Sequence, residues 1–178
     1  MLRQGLKRKA VLLSLIEAMN REESWCSETH IQKCIYFLQE GLRVPIGYEF
    51  ILYKHGPFSF ELRDELAEMQ ANNFIYMKPQ PPYGPSFLPG PLAGALKERF
   101  PKTLKKYKKS YKYVAENISK GNVSDLEKIA TALYIIKEEK IEKINACARR
   151  LNAIKPHISI DDAREACVKV NNLLENIL

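Results

Sequence analysis

The residues best suited to chemistry form a run of lysines in the second half of the chain. Residues 91–120 contain nine Lys/Arg and two Glu, and this difference equals the net charge of the whole chain, +7. On a helical wheel six of the lysines lie on the side opposite the apolar residues, and Tyr113 lies on the same side. Lysine ammonium groups neutralise phosphates without reading bases. We therefore predict a DNA- or RNA-binding face made of Lys102, Lys105, Lys106, Lys108, Lys109, Lys112 and Tyr113. The alternative is an ordinary solvated face of an amphipathic helix.

Two other groups of residues could do chemistry, but each lacks the partners that it needs. Cys26, His30 and Cys34 are spaced for one side of a helix, yet no fourth zinc ligand stands nearby. We expect buried thiols and a surface histidine instead. His55 lies at a turn, near Glu49 and Tyr53, without a nucleophile or a metal partner. The sequence thus predicts no catalytic residue, no metal site, no cofactor and no enzyme activity.

The bulk composition fits a folded, water-soluble chain. Its 178 residues are 46% hydrophobic and 28% charged. No apolar run approaches the length of about 18 residues that a membrane span needs, so we expect no membrane partner. The four cysteines form no CxxC pair, and we expect free thiols in a cytoplasmic protein.

The first half alternates helices with short strands. Helical periodicity covers residues 6–22, and Ser27 and Ser59 are placed to cap two further helices. Residues 48–53 and 74–77 are strand-like, with a His-Gly-Pro turn after the first of them. Residues 79–91 hold six of the ten prolines, which predicts an extended loop. This order favours a winged-helix-like domain over residues 1–90, with residues 74–88 as the wing.

Residues 91–178 predict a helical domain or extension. Leu104, Tyr107, Tyr111, Val114 and Ile118 mark the apolar face of the lysine-rich helix. Residues 124–127 resemble a capping box, and Ser159 precedes the last helix. In that helix an apolar edge of Val170, Leu173, Leu174 and Ile177 would suit a homodimer. The predicted fold class is mainly α (α+β): a winged-helix-like half with a short β-hairpin, then a helical half.

Three short stretches resemble a known group of proteins. The pattern in residues 31–39, the Tyr-Lys-His-Gly-Pro-Phe-Ser run at 53–59 with Leu62 and Leu66, and the tail at 151–159 resemble the YwgA-like proteins, which are prokaryotic and of unknown function. A looser similarity reaches the SocA-like (Panacea) antitoxin domain. His55 stands where the pattern usually has an aromatic residue, and His30 where it often has Lys. The resemblance implies a fold and a prokaryotic cytoplasmic setting, and it transfers no catalytic residue.

These observations leave two functional hypotheses open. The first is a non-enzymatic regulatory or defence-related protein that binds nucleic acid through the lysine face. The second is an antitoxin-like module that binds a protein through residues 59–72 or through the proline-rich loop. The helix at 59–72 is acidic, which argues against its entering the major groove of DNA.

Overall fold

The computed structural model describes residues 2–175 and confirms the mainly α (α+β) class. The helices and strands occur in this order: α1 Leu2–Arg21, α2 Glu28–Tyr36, a π-helical turn Phe37–Gly41, β1 Ile51–Tyr53, β2 Gly56–Phe58, α3 Phe60–Ala71, β3 Ile75–Gln80, β4 Tyr83–Pro89, α4 Ala93–Glu98, α5 Pro101–Asn117, α6 Val123–Lys137, α7 Ile144–Ile154 and α8 Ile160–Glu175. None of these helices is long and apolar enough to cross a membrane.

Side-chain caps begin several of the helices, because they satisfy backbone N–H groups that have no partner within the helix. Ser27 Oγ accepts from the His30 N–H, and Ser59 Oγ accepts from the Leu62 N–H. The predicted capping box at residues 124–127 is wrong. Asn122 caps α6 instead, since its side chain accepts from the Asp125 N–H at 2.9 Å.

Both strand pairs are antiparallel two-stranded hairpins. In the first hairpin, Gly56 has a φ of +88°, a conformation that glycine adopts without steric cost. Pro57 is the next residue along the chain. In the second, Ile75 pairs with Pro89 and Met77 with Phe87. The predicted proline-rich loop is therefore largely a hairpin. A two-stranded sheet leaves one edge of each strand unpaired, so prolines can be accommodated there. The winged-helix interpretation of residues 1–90 stays a prediction.

One hydrophobic cluster includes residues from both halves of the chain. Leu12 and Leu38 from the first half and Leu133 and Leu151 from the second are fully buried in it. Helix α1 packs along α5, while α6 packs against α2, α7 and α8. The predicted boundary at residue 90 thus separates segments whose apolar side chains share a core, and the division into two domains stays a prediction.

The cysteines differ from the prediction of four free thiols. Cys147 of α7 and Cys167 of α8 form a disulfide, with Cα atoms 6.5 Å apart. The prediction failed because the packing of α7 on α8 brings together residues that are 20 positions apart. Cys26 and Cys34 are free and buried, and burial raises the pKa of the Cys26 thiol to about 12. The argument from free thiols to a cytoplasmic location is thereby lost, and that location stays a prediction.

Candidate nucleic-acid interface

Helix α5 is positioned by its apolar face, which packs on α1. Val114 and Ile118 are buried, and Leu104, Tyr107 and Tyr111 are partly buried against the core. The two helices run side by side in the same direction. Thr103 and Tyr107 lie beside Lys7 and Arg8 at one end, and Lys120 pairs with Glu22 at 2.8 Å at the other.

The opposite face of α5 carries the lysines of the predicted site. All six, Lys102, Lys105, Lys106, Lys108, Lys109 and Lys112, are exposed. Lys112 Nζ lies 3.5 Å from a Glu116 carboxylate oxygen, and Lys106 Nζ lies 5.2 Å from the centre of the Tyr107 ring. The other four form no ion pair with any group in residues 2–175. Tyr113 is partly buried at the edge of this face, and burial raises its pKa. These seven residues are called the lysine face below.

Two further lysines of residues 91–120 form ion pairs with carboxylates from the first half of the chain. Lys97 Nζ pairs with Glu17 of α1 at 2.5 Å, and Lys120 pairs with Glu22. They therefore help to attach α4 and the end of α5 to α1. The sequence alone does not distinguish these lysines from those of the lysine face, because their partners lie 80 and 98 positions earlier in the chain.

A shallow depression beside the lysine face adds one positive charge. It is lined by the start of α1, by residues 44–46 and by α5, and Lys7 is exposed at its rim. Sequence reasoning did not include Lys7. Its place on a different helix left no signal that would connect it with α5.

The acidic helix α3 has partners that the sequence analysis missed. Arg8 of α1 pairs with both Glu61 and Glu65 at 2.7 Å, and Lys9 pairs with Glu68 at 2.5 Å. Because these carboxylates are neutralised by α1, the acidic character of the helix is weaker than its composition suggests.

His30 corrects one more prediction, because it is buried and not a surface residue. Its Nε2 donates to the carbonyl of Gly121 at 3.1 Å, and its Nδ1 lies 2.9 Å from Ser27 Oγ. Desolvation lowers the pKa of this imidazole. His30 therefore connects α2 to the turn before α6. No group of three or more metal-ligating side chains is found within residues 2–175.

His55 belongs to an ionic cluster around the buried Glu127, whose members are Lys33, His55, Glu127, Lys155 and His157. Lys155 Nζ lies 3.0 Å from Glu127 Oε1, and the two histidine rings approach the same carboxylate at 3.7 and 3.8 Å. Glu127, Lys33 and Lys155 are all buried, while both histidines are exposed.

The two lysines of the Glu127 cluster also bind the Gly-Pro turn. Lys33 Nζ donates to the Pro57 carbonyl at 3.0 Å, and Lys155 Nζ donates to the carbonyls of Tyr53 and Lys54. The three stretches that carry the family resemblance therefore meet at this cluster. Nothing in the sequence connects them with Glu127, and the predicted neighbourhood of His55 with Glu49 did not include it.

The predicted apolar edge of the last helix is partly used in the core. Val170 is fully buried, and Leu173 and Leu174 pack against the core cluster. Ile177 lies outside the described residues. The homodimer stays a prediction.

Comparison with known proteins adds no functional assignment. Neither the models of protein families nor the curated proteins contain a match to this chain. The resemblance to YwgA-like and SocA-like proteins therefore stays a prediction.

Proposed function

We propose that this chain is a non-enzymatic regulatory or defence-related protein that binds DNA or RNA through the lysine face. The observation that carries the proposal is the set of five exposed lysines on one side of α5 without any carboxylate partner in the described chain: Lys102, Lys105, Lys106, Lys108 and Lys109. Exposed ammonium groups without an ion-pair partner can contact phosphates directly, because no internal ion pair has to break first. Lysines carry no planar fork for base recognition, so binding through this face is independent of sequence.

The salt dependence of binding tests the number of phosphate contacts. Six lysines on the backbone of duplex DNA give a log–log slope of affinity against salt of about −5. Fluorescence anisotropy of a labelled duplex and a labelled single strand, measured at several salt concentrations, gives that slope directly. If the protein binds neither the duplex nor the single strand at low salt, the proposal of a nucleic-acid-binding protein is wrong.

A charge-matched pair of variants locates the contact. The test variant replaces Lys105, Lys106, Lys108 and Lys109 with Gln, which leaves two lysines of the face and lowers the slope to about −2. The control variant replaces four exposed cations elsewhere with Gln: Lys54, Lys143, Arg149 and Lys169. Both variants lose four positive charges. Equal affinities for the two variants would place the contact outside the lysine face.

A protein-interaction module is the second candidate, and exposed apolar side chains near the start of α3 favour it. Ile51, Tyr53 and Phe60 are 48%, 52% and 43% exposed, and the rings of Tyr53 and Phe60 are 5.7 Å apart. Clustered exposed aromatic residues are typical of sites for protein partners. A partner captured from native lysate by the wild type, and lost on replacing Tyr53 and Phe60 with Ser, would support this candidate. Capture that is unchanged by the two replacements would count against it.

A further inference from the structure

The depression beside the lysine face combines apolar side chains with polar ones. Val11, Val44 and Ile46 supply the apolar lining, and Thr103 and Tyr107 of α5 supply hydroxyl groups. Its volume is about 80 Å³, well below the roughly 300–1,000 Å³ of sites that enclose a whole small molecule. The depression is therefore the right size for one part of a larger ligand that also contacts the surface around it. We call it the α1–α5 groove.

The polar groups of the α1–α5 groove are available to a ligand. Lys7 is exposed, and its ammonium has no ion-pair partner within residues 2–175. Thr103 and Tyr107 are partly exposed, and their hydroxyls form no hydrogen bond with that part of the chain. Arg8 also lines the groove, but its guanidinium already pairs with two carboxylates of α3, so we assign it no contact with a ligand. The groove thus offers one ammonium and two hydroxyls as donors.

The α1–α5 groove is continuous with the lysine face. The ring of Tyr107, which lines the groove, has its centre 5.2 Å from the Lys106 ammonium. Thr103 directly follows Lys102, and on the helical wheel it falls between Lys106 and Tyr107. Residues three and four apart on a helix are neighbours, with Cβ atoms about 5–6 Å apart. A ligand that contacts Lys102 and Lys106 therefore lies next to the groove.

The groups of the groove are complementary to one sugar–phosphate unit of a nucleic-acid strand. Phosphate oxygens accept hydrogen bonds from ammonium and hydroxyl groups, and Lys, Thr and Tyr side chains commonly contact the phosphates and sugars of DNA. The carbon atoms of the sugar can rest on the apolar lining, which removes apolar surface from water. The small volume leaves no room for a base as well.

We propose that the α1–α5 groove holds a sugar–phosphate unit of the strand that lies along the lysine face, with Lys7 and Thr103 binding its phosphate. This inference rests on the proposed function and adds helix α1 to its binding surface. With Lys7, seven ammonium groups contact phosphates in place of six. The expected log–log slope of duplex affinity against salt then changes from about −5 to about −6.

Matched substitutions test the two contacts, with anisotropy of a labelled duplex at several salt concentrations as the measurement. Lys7→Gln should make the slope shallower by about 0.9, the value of one phosphate contact. The control Lys169→Gln removes the same charge from an exposed position on α8 and should leave the slope unchanged. Thr103→Val should weaken binding about 3- to 10-fold without changing the slope, because a hydroxyl carries no charge, and Thr103→Ser should bind like the wild type.

Lysine acetylation followed by mass spectrometry reports whether Lys7 is covered in the wild-type complex, without any substitution. We expect duplex DNA to protect Lys7 together with the lysine face, while Lys169 reacts equally with and without DNA. Inorganic phosphate at the same ionic strength should leave Lys7 reactive, because it lacks the sugar that rests on the apolar lining.

The outcomes separate this inference from the proposed function. If duplex DNA protects the lysine face but not Lys7, and the slope of Lys7→Gln equals that of the control, the groove makes no contact and the lysine face still does. Protection of Lys7 by inorganic phosphate alone also overturns the inference, because the groove would then bind a free anion. If the duplex does not bind at low salt, the proposed function itself is wrong.

Discussion

The burial of Lys33 should add a contribution to the free energy of unfolding that rises in mildly alkaline solution. Its side chain is 1% exposed, and desolvation is the largest influence on its pKa. The carboxylates of Glu127 and Glu28 raise this pKa, while Lys155 lowers it further. The result is a pKa of about 8 in the folded protein, compared with 10.5 for the ordinary side chain.

The sign and the size of the effect follow from proton linkage. Between about pH 8 and 10.5 the unfolded chain binds a proton at Lys33 that the folded chain has released. Unfolding then takes up protons, so the free energy of unfolding increases as the pH rises through this window. The difference between the two pKa values corresponds to about 3 kcal/mol, of which about 2 kcal/mol is gained between pH 8 and pH 10.

A comparison of the wild type with Lys33→Met isolates this contribution. Burial also raises the pKa values of Tyr36, Tyr48 and Cys34, and we expect these shifts to be the same in both proteins. Their effects cancel in the difference between the two free energies of unfolding. Urea titrations followed by circular dichroism at pH 7, 8, 9 and 10 measure that difference.

We expect the difference to change by about 2 kcal/mol in favour of the wild type from pH 8 to pH 10. Lys169→Met serves as the control, because Lys169 is exposed and its removal should shift stability equally at every pH. If the wild type and Lys33→Met respond to pH in parallel, the folded protein keeps Lys33 charged and the reasoning from its burial fails.

Two matched pairs of variants test other parts of the fold, with thermal and urea unfolding as the measurement. Gly90→Ala should destabilise by about 2 kcal/mol or more, because the added Cβ would lie 2.4 Å from the backbone oxygen of Asn73. Gly94→Ala meets nothing within 4 Å in helix α4 and should stabilise by up to about 1 kcal/mol, so a loss in both would contradict the steric argument. Glu65→Gln should cost about 2–3 kcal/mol, because Glu65 is 4% exposed and its partner guanidinium would lose a close charge. Glu68→Gln, at 56% exposure, should cost less than about 1 kcal/mol, and equal costs would mean that burial does not set the value of these pairs.

The parts of the fold that sequence predicted correctly depend on near neighbours along the chain. Ser27, Ser59 and Ser159 accept from N–H groups three residues ahead, so each cap is visible in a window of four residues. The solvated side of α5 is likewise set by helical periodicity, because a residue's face follows from its position in the turn. Contacts between residues that are close in sequence can therefore be predicted from the sequence.

The errors arose where a short sequence pattern indicated one structure and contacts in the folded chain produced another. Residues 124–127 match a capping box, yet Glu127 is buried against Lys155, 28 positions further on, and Asn122 takes the cap. The prolines of residues 79–91 suggested a loop, but pairing with β3 made most of that segment a strand. A contact 28 positions away decided the first case, and backbone pairing between adjacent strands decided the second.

The lysine face shows the same contrast between local patterns, which the sequence reveals, and distant contacts, which it does not. Periodicity placed the lysines of α5 on one face, but it could not assign Lys97 to Glu17 of α1 or Lys120 to Glu22, just beyond the end of α1.

The distribution of ion pairs explains why the charge of this protein is concentrated on α5. Helix α1 is basic near its start and α3 is acidic, and their opposite charges meet at Arg8 and Lys9. In the Glu127 cluster a carboxylate from α6 likewise faces cations from two other segments. Within residues 2–175, no helix packs on the outer face of α5 to supply carboxylates, and the sequence of α5 itself offers only Glu116. Charge that the fold does not neutralise internally remains available to a partner, and a partner that neutralises a row of ammonium groups must itself be a polyanion.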